Sequence, residues 1–124
     1  MGFHDDWIMR QIEMMTRFFS QIIFQKDKIG YEFETSEMLT VADQTHLDLQ
    51  KLVIEGRICE AEDLLFNNAE MTDKYLELAI DFYKQLNELS DERLISCNFS
   101  REEIYEGLVD ILEKLGVPVE QFKR

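Results

Sequence analysis

Residues 10–24 read RQIEMMTRFFSQIIF, and how that stretch is buried decides the fold. Ile8, Ile12, Met15, Phe19 and Ile22 recur at 4-3-4-3 spacing, the apolar seam of a packed or coiled-coil helix rather than the alternation of a strand. At about 100° per residue, Trp7, Met14 and Phe18 fall on one shoulder of that seam, with Met9 and Ile23 on the other. The apolar arc then spans roughly 220°, against about 100–140° for a helix packed on one side. Arg10, Glu13, Arg17 and Gln21 fill the polar remainder. A helix this oily needs two partners. Its own core takes the seam, while the shoulder goes to that core, to a second copy, or to a membrane surface.

Working outward, Asp5 and Asp6 suit a helix N-terminus, and the first helix is expected to run to about Lys26. KDKIGYEFETS, residues 26–36, breaks the pattern: Gly30 and alternating Tyr31 and Phe33 favour an extended connector. Ser36 is the expected N-cap of a second helix, carrying Met38, Leu39, Ala42, Leu49, Leu52 and Val53 and stopped by Gly56. A third helix covers residues 57–66. Thr72 caps a fourth with two apolar stripes, one of Leu76, Ala79, Tyr83 and Leu86 and one of Tyr75, Leu78 and Phe82, which makes it the central helix. DERLIS, residues 91–96, reads as a short helical turn. Ser100 and Glu103 then form a capping box, followed by Ile104, Leu108, Ile111 and Leu115, with a stop at Gly116 and Pro118 two residues on. Gly107 inside that helix costs about 1 kcal/mol against alanine and permits close helix–helix approach. The expected architecture is all-α. Five or six helices form one domain over 1–124, with an amphipathic helix in 1–28 and a helical-hairpin body in 36–116.

Composition narrows the function. Thirteen basic and 26 acidic residues give a net charge of −13. The first 28 residues hold four of each sign, so the remaining 96 carry 9 basic and 22 acidic residues and the whole excess. Such a body repels phosphate backbones, so no nucleic-acid partner is expected. No stretch reaches 18 uninterrupted apolar residues, so no transmembrane segment is expected. Cys59 and Cys97 are far apart with no CxxC, and reduced cytoplasmic thiols are the expectation.

LVIEGRICEAEDLLFNNA, residues 52–69, resembles the turn of a tetratricopeptide-type hairpin. The positions that carry the likeness are Gly56, Ile58, Glu60, Ala61, Leu64 and Leu65. No second copy recurs at the 34-residue period of that repeat. DDWIMRQIEMM, GRICEAEDLLF and YLELAIDFYKQL together resemble a family of small uncharacterised helical proteins of Gram-positive bacteria. That resemblance implies a bacterial cytoplasmic protein and transfers no activity.

Catalytic signals are sparse. His4 with Asp5 and Asp6 reads as a polar helix start rather than a metal triplet. Asp43 and His46, with Asp48 as a further member, form the other candidate. Asp43 and His46 share a helix face at i,i+3, but a third and fourth ligand must come from elsewhere, and no ExxH or HExxH motif supports them. No catalytic, cofactor-binding or metal residue is assigned. The reading is a non-catalytic protein–protein interaction module, homodimeric through the first helix with Trp7, Met14 and Phe18 as anchors, its acidic surface steering a basic partner. The alternative is a small-molecule- or metal-dependent helical-bundle enzyme, which would need a pocket joining His46 to acidic residues of another helix.

Overall fold

The structure is a computed structural model that describes residues 3–24, 31–33 and 39–122. It is all-α. Helix α1 spans Phe3–Phe24, α2 Val41–Ile54, α3 Ile58–Asn67, α4 Asp73–Glu88, α5 Asp91–Ser96 and α6 Arg101–Lys114, with a closing 3-10 turn at Glu120–Phe122.

Most helix boundaries follow from local chemistry. The Thr72 side chain accepts from the Tyr75 amide at the start of α4, and that of Ser90 from the Arg93 amide at the start of α5. Ser100 and Glu103 make the reciprocal capping box that starts α6. Gly56 and Gly116 take φ of +80° and +84°, the left-handed exits that stop α2 and α6 and that favour glycine.

The start of α2 differs from the sequence expectation. Ser36 and Met38 lie outside the described residues, and the helix begins at Val41, where Thr40 and Asp43 form a second capping box. Leu39 precedes the helix and is exposed.

Three helices make the core. α1, α4 and α6 pack pairwise against one another, and the α2–α3 hairpin joins them through α2 on α4. Ile8, Ile12, Met15 and Phe19 of the α1 seam are buried, and Leu78, Ala79, Tyr83 and Leu86 of α4 meet Ile104, Leu108 and Ile111 of α6 in the same cluster. α4 is covered on both stripes, as its sequence requires. Ala61 is fully buried in the hairpin, where a methyl side chain lets α2 and α3 approach closely.

Candidate functional site

Burying the seam of α1 settles only part of its apolar arc. Thr16 and Ser20, on the flank next to the seam, are buried, with the Thr16 hydroxyl donating to the Glu13 carbonyl at 3.0 Å. That local bond satisfies a polar group which would otherwise be costly inside the core. The opposite shoulder stays outside. Trp7 is 47% exposed, Met14 51% and Phe18 39%. Phe18 also sets its ring edge against Phe19 and Phe122, with centroids 5.2 Å and 6.0 Å away, so it is partly anchored by the C-terminal turn. Arg10, Glu13, Arg17 and Gln21 are exposed beside these three. The sequence-named residues therefore lie together on one accessible edge of the longest helix.

His46 does meet a carboxylate from another helix, as the enzyme alternative requires. Its Nδ1 lies 3.7 Å from Asp81 Oδ2 on α4, and Gln85 donates to the same oxygen at 2.7 Å. The Tyr31 ring stacks on the imidazole at 4.4 Å, and Phe33 meets it edge-on. The Tyr31 hydroxyl donates to Asp43 Oδ1 at 2.6 Å, while the Glu32 amide donates to Glu77 Oε1 at 2.7 Å. Lys74 adds a bond to the Glu32 carbonyl and sits over the Tyr31 ring.

Burial lowers the affinity of His46 for a proton and outweighs the opposing pull of Asp81 and Asp43. Burial likewise pushes the Asp81 carboxyl up, against His46, Gln85 and Lys84. Both shifts favour uncharged forms, as expected of a desolvated pair. The cavity bounded by His46, Leu49, Asp81 and Phe82 measures only about 10 Å³, room for no more than one water molecule. This cluster clamps residues 31–33 onto α2 and α4, and among the described residues its cavity is too small for a substrate.

A wider cleft lies between α3 and α6. Glu62, Asp63, Glu103, Glu106 and Asp110 surround about 320 Å³, with Phe66 and Gly107 completing the wall. Glu62 accepts from the buried Tyr83 hydroxyl at 2.5 Å, and burial pushes its carboxyl up. Cys59 is exposed and free, but burial of its sulfur followed by the nearby Glu103, Glu62 and Asp63 raises its thiol. A raised thiol is a poor nucleophile at neutral pH.

Among the described residues, no group of three or more His, Cys, Asp and Glu side chains is placed to hold a metal ion. The His4 side chain lies outside the described residues. Among those same residues, no helix is long and apolar enough to cross a membrane.

Among the buried polar groups that the sequence did not reveal is Arg101. Arg101 follows the Ser100 cap in the first turn of α6, and its guanidinium is buried. It donates to the carbonyls of Asn87 and Leu89 and to Asp91 Oδ1, each at 2.8 Å. Its partners lie 10 to 14 residues upstream, beyond the reach of any helical spacing rule.

A family model described as a family of unknown function (DUF6483) matches residues 2–116. No curated protein matches the chain, and no solved structure matches it.

Proposed function

The chain belongs to that family of unknown function, and we propose that it is a non-catalytic protein–protein interaction module that pairs with a second copy of itself through the outer edge of α1. The observation that carries this reading is the exposed row of Trp7, Met14 and Phe18 on a helix whose opposite side is core. Apolar patches of this kind mark interfaces. Full burial of such a side chain is worth about 1.5–3 kcal/mol, so covering the half still exposed returns about 1 kcal/mol each.

Charge favours α1 as the place where a second copy pairs. Two chains of net charge −13 repel one another, and α1 lies in the balanced first 28 residues. Of the other exposed apolar side chains, Met71 sits beside Glu70 and Asp73, Ile95 near Asp91 and Glu92, and Ile54 next to Glu55, while Phe33, Leu39, Val41 and Leu47 also lie in the acidic part of the chain. Pairing through α1 brings the least like charge together. The bacterial cytoplasmic setting and the tetratricopeptide-like character of the α2–α3 hairpin belong to the same proposal. Gly56, Ala61 and the free thiols are in keeping with them.

Trp7 is the sole tryptophan and lies on the proposed interface, so its emission reports pairing directly. Diluting the protein from high to low micromolar concentration is expected to shift the emission to the red. Added salt, by screening the acidic bodies, should move that transition to lower protein concentration. An emission maximum independent of concentration at every salt would rule out self-pairing through this edge. A basic partner on the acidic surface would show the opposite salt dependence.

A further inference from the structure

The outer face of α1 carries a second pattern beside its apolar edge. Asp6, Arg10, Glu13 and Arg17 are all exposed and alternate in sign along the helix. At about 100° per residue they fall within roughly 60° of one another, about 90° around the helix from the edge of Trp7, Met14 and Phe18. The two edges thus flank a strip about 155° around the helix from the buried seam of Ile8, Ile12, Met15 and Phe19. The steps between the four charges are 4, 3 and 4 residues. That spacing reads the same in both directions, while the sign order inverts.

From this pattern we infer that two α1 helices pair antiparallel about a two-fold axis passing between residues 11 and 12. The inference rests on the self-pairing proposed above. The argument is one of symmetry. A two-fold axis perpendicular to two facing helices brings each edge against the same edge of the other copy. An axis parallel to them brings each edge against the opposite one.

Antiparallel pairing therefore sets apolar edge on apolar edge and charged edge on charged edge. On the charged edge Asp6 meets Arg17 of the second copy, and Arg10 meets its Glu13, twice over by symmetry. On the apolar edge the same register places Trp7 within about 3 Å, along the axis, of level with the second copy's Phe18. Parallel pairing would seat Trp7, Met14 and Phe18 on arginine and glutamate. Exposed ion pairs contribute little affinity singly. Their part here is to fix direction and register, as complementary charges do at other interfaces.

Cross-linking tests this in the full chain with Cys59 and Cys97 replaced by serine. One variant then carries Gln11→Cys, close to the axis, and another Gln21→Cys, whose two copies would stand roughly 28 Å apart. With a short bismaleimide linker, the position-11 variant is expected to form covalent dimers and the position-21 variant none. Equal linking at both positions would overturn the antiparallel direction while leaving self-pairing intact. A dimer by light scattering that links at neither would place the interface elsewhere and overturn the inference. A monomer by light scattering would remove the self-pairing it rests on. Independently, Arg17→Asp is expected to weaken pairing about fivefold, and Asp6→Arg in the same chain to restore it. Failure of that rescue in a folded protein would contradict the register.

Discussion

Replacing Arg101 with methionine is expected to lower the unfolding free energy by about 3 kcal/mol. The side chain is 4% exposed, and its guanidinium ties α6 to the exit of α4 and the start of α5 through the Asn87 and Leu89 carbonyls and Asp91. Methionine keeps the length of the stem and removes all three bonds. Asp91 is partly exposed and rehydrates, whereas the Asn87 carbonyl has no such recourse, because its bond to Arg101 is buried. A buried acceptor left unpaired costs about 1–3 kcal/mol. The Arg101 Nε itself has no partner among the described residues, which keeps the estimate below the upper end for a broken buried ion pair. Thermal unfolding reads the result as a drop of roughly 10 °C. A drop of less than about 3 °C would mean that the carbonyls find water, and that the three helices are held by their apolar contacts alone.

Gly107→Ala is the second large effect, and here two physical rules give opposite signs. Helix propensity alone favours alanine by about 1 kcal/mol. Packing opposes it strongly. A Cβ at position 107 would stand 2.3 Å from Glu62 Oε2, 2.5 Å from the Tyr83 hydroxyl oxygen and 2.8 Å from Tyr83 Cε1. Glu62 can swing into the acidic cleft, but Tyr83 is fully buried and fixed by α4. Moving either breaks the Tyr83–Glu62 hydrogen bond, and overpacking adds about 1–3 kcal/mol of its own. The expected net effect is a destabilisation of about 2 kcal/mol, read from denaturant midpoints. A variant as stable as the wild type or more so would show that α6 can shift away from α4. Gly107 would then be an unoptimised position rather than a required one.

These two positions show where sequence reasoning ends. The caps at Thr72 and Ser100 and the glycine exits at 56 and 116 were legible because a cap is decided within four residues of chain. The Thr40–Asp43 capping box was equally local. It was missed because Ser36 offered an earlier serine and Met38 and Leu39 extended the apolar pattern past the true start. Close approach at Gly107 was legible as a type of contact, but not which groups make it. Glu62 and Tyr83 come from α3 and α4, and only the three-dimensional crossing brings them to α6.

The α1 arc lies between these cases. Its excess width was plain from the spacing of Ile8, Ile12, Met15 and Phe19 and the shoulders beside them. Which shoulder stays outside depends on the side from which α4 and α6 approach. The His46 cluster has the same origin. His46 and Asp81 are 35 residues apart in sequence and 3.7 Å apart in space, and the stacking of Tyr31 on the imidazole comes from a connector whose alternation indicates an extended chain but not where it docks.

Self-pairing through α1 is tested most directly by light scattering on size-exclusion fractions of the wild type and of Met14→Glu across a wide concentration range. Met14 is the cleaner position to change, because Phe18 also braces Phe19 and Phe122. The wild type is expected at twice the 14.8 kDa chain mass when concentrated, and Met14→Glu as a monomer with unchanged helical content. A wild type that keeps the single-chain mass at every concentration and salt would contradict the account.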